Sequence, residues 1–126
     1  MPVSVLVVDD HAVVRAALSM YLEAEPGITV WGTAASGDDA LSQLGRTPPP
    51  PLPDALIVDV QMPGMTGIEL VAAVAARHPG LPCVVFSADS GAQAARRALA
   101  AGAVAYVDKG QPERVAAAVL AAVAPE

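Results

Sequence analysis

The chain has 126 residues, a length that suits one domain with one core. Its formal net charge of −6 argues against contact with a nucleic-acid backbone, which needs clustered Lys and Arg, and fits a cationic partner or a metal ion. Hydrophobic residues make up 54%, but charges interrupt every long apolar run and none reaches the roughly 20 residues of a spanning helix; "MPVSVLVVDD" also lacks the basic segment of a secretory signal, so a cytoplasmic protein without membrane contact is expected.

In chain order, short β-rich runs alternate with stretches of helical period. The first run, "VSVLVV" (3–8), ends on Asp9 and Asp10, and a helix is predicted over 12–24 with Val14, Ala17, Leu18, Tyr21 and Leu22 recurring on one face. A second strand, 28–33, leads to a helix over 37–45 that starts at Ser36–Asp39. The proline-rich stretch 47–53 reads as an extended spacer. A third strand, "ALIVD" (55–59), runs into Asp59, and a Pro-Gly turn separates it from a helix over 67–78 that ends near His78. Cys83 opens the fourth strand, "CVVFS" (83–87); a single cysteine inside an apolar run is a small core residue and cannot form an internal disulfide. A helix over 91–101 stops at Gly102, a fifth strand covers 104–108, and a last helix begins at Pro112 with Val115, Val119, Leu120 and Val123 on one face.

Five strands paired with five helices imply repeated βα units and a parallel sheet. Right-handed crossovers deliver every strand's C-terminal end to one edge of such a sheet, the edge where ligands bind. Asp9, Asp10, Asp59, Ser87 and Lys109 arrive there. Singly, each has a bland reading: Asp10 could cap the first helix, Ser87 could form a local turn, and Lys109 could be a solvated charge. Together, three carboxylates would repel one another and push at least one toward protonation, which a divalent cation relieves. Mg²⁺ with a phosphoryl group suits such a set, so phosphoryl transfer to a carboxylate nucleophile is the expected chemistry.

The motifs "VLVVDDH", "DALIVDVQMPGMTGIEL", "VVFSA" and "AGAVAYVDK", in that order, resemble the receiver domain of bacterial two-component response regulators, the CheY-like family, over essentially the whole chain. "VDDHAVVRAAL" and "ITVWGTAASGDDAL" look most like receivers of the NarL/LuxR-type transcription factors. The resemblance implies a flavodoxin-like (βα)5 doubly wound sheet of order 2-1-3-4-5, with residues 1–126 forming one receiver domain. It implies Asp59 as phosphoacceptor from a sensor histidine kinase, Asp9 and Asp10 as the acidic metal pair for Mg²⁺, and the Gln61 backbone carbonyl as a further ligand. Lys109 would pair with the acceptor and then with phosphoryl oxygens, while Ser87 and Tyr106 would be the switch pair; without the resemblance Tyr106 reads as a core aromatic. Gln61 and Asp89 would tune phosphoryl loss, and Ala88 would leave the site open. His11 reads as a partly exposed residue at a helix start. Gly110 stands where many relatives carry proline.

A haloacid dehalogenase-type phosphatase shares the sheet and the nucleophilic Asp but expects an acid two positions later, where this chain has Gln61. A stand-alone or phosphorylation-independent receiver acting as a protein-interaction module is the other alternative. The NarL/LuxR resemblance favours a DNA-binding output domain beyond residue 126 and a homodimer formed on phosphorylation, with Arg96 and Arg97 read as a solvated basic face.

Overall fold

The computed structural model describes residues 2–46, 51–88 and 91–123. It contains β1 (Val3–Val8), α1 (Ala12–Glu23), β2 (Ile28–Ala34), α2 (Gly37–Leu44), β3 (Ala55–Val58), α3 (Gly67–Arg77), β4 (Cys83–Ser87), α4 (Ala92–Ala101), β5 (Ala105–Asp108) and α5 (Pro112–Val123). The strands form one parallel sheet in the order β2-β1-β3-β4-β5, the flavodoxin-like arrangement expected.

Strand alternation divides the core into two layers. Leu6, Val8, Leu56, Val58 and Val85 pack with Leu44 of α2, Leu70, Val71 and Val74 of α3, and Ala98 of α4. Val5, Val7, Ile57, Val84 and Phe86 pack on the other face with Leu18 and Leu22 of α1 and Val115 and Val119 of α5. A sheet covered on both sides needs apolar residues at consecutive positions, and all four residues of β3 are buried. Cys83 is buried, and desolvation pushes its thiol up to about 12, as expected of a core residue.

Local chemistry sets the helix ends. Ser36 Oγ accepts from the Asp39 N–H at 3.0 Å, and Thr66 and Glu69 form a reciprocal capping box at the start of α3. Gly102 ends α4 at φ 120°, a conformation that favours glycine.

Several expectations need correction. The bland reading of Asp10 as the cap of α1 does not hold; the N-cap is His11, whose side chain makes no capping hydrogen bond. Ala17 and Leu120 are exposed, so the buried stripes of α1 and α5 are narrower than periodicity suggests. Between Val5 and Leu6 the register to β2 slips by one, leaving Trp31 without a partner on β1. The Trp31 indole Nε1–H donates to the Pro51 carbonyl at 2.9 Å and so ties β2 to the end of the proline-rich stretch. The rest of that stretch, 47–50, and Asp89 lie outside the described residues.

Candidate functional site

The site forms where the strand order reverses, between β1 and β3, the position at which open α/β sheets bind ligands. Ladder hydrogen bonds continue one residue past the strands and hold the site backbone. Asp9 N–H donates to the Ala34 carbonyl at 3.1 Å, Asp59 N–H to the Val8 carbonyl at 3.0 Å, and Lys109 N–H to the Ser87 carbonyl at 2.9 Å. The aspartates therefore extend directly from the hydrogen-bonded ladder of the sheet.

Asp9 and Asp59 are only 2% and 4% exposed. The Lys109 ammonium lies 3.2 Å from Asp9 Oδ2 and 3.2 Å from Asp59 Oδ1, bridging the two carboxylates. Its side chain is 20% exposed, so it is not a solvated surface charge. Burial, and then the Asp9 carboxylate, raise the Asp59 pKa above the ordinary 3.8; Lys109 and a hydrogen bond from the Gln61 backbone oppose the shift without cancelling it. One ammonium thus shares its charge between two buried carboxylates and leaves the pair short of positive charge.

Asp10 completes the acidic group. Its Oδ1 is buried and accepts no hydrogen bond from the described residues, although His11 Nδ1 lies 3.1 Å away. One donor atom from each of Asp9, Asp10, His11 and Asp59 can be chosen so that all four lie within 4.8 Å of one another. A carboxylate oxygen kept from water without a donor, beside two more carboxylates, fits a divalent cation.

Ser87 closes β4 and is buried. Tyr106 on β5 is half-buried, packs against the layer containing Val58 and Val85, and pairs in register with Val85. Side chains two apart on a strand share a face, so Ser87 and Tyr106 both lie on the α3–α4 side of the sheet. The Gly110 N–H donates to Asp108 Oδ1 at 2.7 Å, a bond that a proline there could not make.

Three neighbours of the site were not predicted from the sequence as parts of it. The Arg15 guanidinium donates to the Asp9 carbonyl at 2.7 Å and anchors the acidic loop to α1. At Gly67 the chain passes so close to Asp59 that a Cβ would overlap the Asp59 carbonyl. The third is the His11 imidazole, whose Nδ1 faces both Asp9 and Asp10. The only sequence signal for these was proximity to the motifs, as in the Gly67 that closes "MPGMTG".

With this geometry the chain can be set beside known proteins. The response regulator receiver domain family matches residues 5–120, and the chain belongs to that family. It is 42% identical over 110 residues to protein-glutamate methylesterase/protein-glutamine glutaminase 5 of Anaeromyxobacter dehalogenans, covering 86% of this chain and 29% of that protein. It is 37% identical over 107 residues to the DNA-binding transcriptional activator DevR/DosR of Mycobacterium tuberculosis, covering 85% of this chain and 48% of the relative. Its fold superimposes on a LuxR-family two-component response regulator from Aurantimonas sp. SI85-9A1 with a TM-score of 0.89 at 29% identity, covering 98% and 86% of the two chains. The chain thus spans less than half the length of both curated relatives. Among the described residues, no helix is long and apolar enough to cross a membrane.

Proposed function

We propose that this receiver takes a phosphoryl group on Asp59 from the phosphohistidine of a sensor histidine kinase. The observation that carries the reading is the pair of buried carboxylates, Asp9 and Asp59, sharing the single Lys109 ammonium beside the unsatisfied Asp10 Oδ1. An Asp59 carboxylate oxygen attacks phosphorus, the P–O bond forms as the P–N bond to the kinase histidine breaks, and the kinase imidazole leaves with the electron pair. Lys109 stays within reach of Asp59 and offers its ammonium to the charge gathering on the phosphoryl oxygens. Asp9, Asp10, Asp59 and the Gln61 backbone carbonyl would hold Mg²⁺, which when bound neutralises the carboxylates and the incoming phosphoryl oxygens.

The phosphoryl group adds negative charge and acceptor oxygens beside the end of β4. The Ser87 hydroxyl gains a bond to it only in the modified state, and Tyr106, on the same face of the sheet, follows into the space released. A contact present in one state alone is what shifts a two-state equilibrium. Residues 1–126 act as one receiver domain in the cytoplasm.

The output belongs to the rest of the signalling protein. The DevR/DosR relative is a DNA-binding transcriptional activator, which supports transcription regulation through a DNA-binding domain; on this reading the phosphorylated receiver forms a homodimer. The methylesterase relatives support a second reading, in which the receiver gates an attached methylesterase domain.

Incubation with acetyl phosphate and Mg²⁺, followed by intact mass, tests the chemistry. The expected result is one phosphoryl mass gain that disappears in Asp59→Asn and with EDTA. No gain in folded protein favours a phosphorylation-independent interaction module.

A further inference from the structure

β2 is an edge strand: among the described residues its only strand neighbour is β1. It is the longest of the five strands, and its sequence "ITVWGTA" is rich in β-branched and aromatic side chains, which suits it to pairing on a second side. The Gly27 and Ala34 carbonyls accept from the Val3 and Asp9 N–H groups and so face β1. Backbone groups alternate in direction along a strand, and the register slips by one at Val5/Leu6, so those of Val30 and Thr33 both point off the open edge.

One group of each is taken by a side chain. The Val30 N–H donates to Glu23 Oε1 at 2.9 Å, and the same oxygen accepts from the Thr29 hydroxyl at 3.0 Å. Gln43 Nε2 donates to the Thr33 carbonyl at 2.8 Å. Gly32 leaves room for that reach, since a Cβ there would lie 3.3 Å from Gln43 Oε1. Glu23 is not explained by its own helix: it ends α1, where the helix dipole disfavours a carboxylate, and the last turn carries no basic residue. These exposed bonds compete with water and add little to folding. Their effect is to occupy groups through which a further strand would pair.

We propose that the β2 edge is a strand-addition surface fitted to a second copy of this chain, and that Glu23 and Gln43 keep it shut. A two-fold axis pairs β2 with β2 antiparallel and joins two sheets into one, with the same edge serving both partners. The inference concerns the edge strand alone and is independent of the phosphoryl chemistry proposed above.

The test compares the parent with a Glu23→Ala, Gln43→Ala double variant by sedimentation velocity over a concentration series, with residue-resolved amide exchange. The double variant is expected to associate reversibly at concentrations about tenfold or more below any association of the parent. Its Val30 N–H should exchange faster than the parent's when dilute and become protected in the associated form. Glu23→Gln removes the same charge but keeps an oxygen acceptor, so it should behave as the parent. Each single alanine variant should shift association part of the way, and urea unfolding shows that the chains compared are folded. Folded alanine variants that associate no more than the parent overturn the proposal, because the two bonds then only brace β2. Association that leaves the Val30 N–H unprotected, or that is as strong in Glu23→Gln, also overturns it, by placing the contact elsewhere or the cause in charge.

Discussion

Two aspartates stand at opposite ends of the third strand, Asp54 before it and Asp59 after it. Asp54 is exposed, and its Oδ2 accepts from the Ser4 N–H at 2.9 Å and from the Ser4 hydroxyl at 3.3 Å. Asp59 is buried, faces a second carboxylate, shares one lysine with it, and has its pKa raised. Residue type and strand are the same, so the difference lies in what each end of the sheet supplies. Neutral donors and water make one carboxylate a fastening for the β1–β3 pair. A like charge and exclusion of water leave the other short of positive charge, as the proposed cation and phosphoryl chemistry requires.

The sharpest break in this comparison is Asp59→Asn. It should abolish phosphoryl uptake entirely, while raising stability at neutral pH by about 1 kcal/mol or more, because a buried carboxylate beside another is removed and Lys109 keeps Asp9 as its partner. Intact mass and urea unfolding measure the two effects. Lys109→Met should act oppositely on stability, costing about 3 kcal/mol by leaving two buried carboxylates without their cation, and should slow phosphorylation by acetyl phosphate about a hundredfold. A lysine variant as stable as the parent would mean that the ammonium is not the counter-charge.

Gly67→Ala comes next. Its Cβ would overlap the Asp59 carbonyl, so the loop must shift, at a cost of about 2 kcal/mol in urea unfolding and with slower phosphoryl uptake. This close approach shows where sequence reading stopped. Each strand and helix could be placed to within a residue because apolar runs and turn residues bound them, and the parallel topology alone carries Asp9, Asp59 and Lys109 to one edge. Periodicity gives the face of a side chain but not the distance between two loops. The collision at Gly67, the reach of Arg15 to the Asp9 carbonyl and the turn of His11 toward Asp10 depend on how α1 and α3 seat on the sheet. The slip at Trp31 was hidden similarly, since a bulge leaves the residue pattern of its strand almost unchanged.

The raised pKa of Asp59 gives a pH signature. Between 3.8, its ordinary value, and its higher value in the fold, the native state binds more protons than the unfolded chain. Stability from this group therefore falls as pH rises through that window, stays low above it, and is restored below 3.8. Urea unfolding across the acid range should show the advantage of Asp59→Asn growing with pH from about that point and then levelling off; an advantage that stays constant across the range would place the Asp59 pKa at its ordinary value.

The smallest effect belongs to the other end of the strand. Asp54→Ala removes two hydrogen bonds to Ser4 that compete with water, so the expected loss is about 1 kcal/mol in urea unfolding. Ser4 and Asp54 remain joined by the Asp54 N–H to the Ser4 carbonyl at 2.8 Å, a backbone bond that the substitution spares, so β3 keeps its register on β1. Register fixes Asp59 opposite Asp9 at the far edge, and phosphorylation of Asp54→Ala by acetyl phosphate should match that of the parent. A slowed reaction would mean that the fastening at one end of β3 reaches the acceptor at the other, and the two aspartates would then have to be treated as one unit.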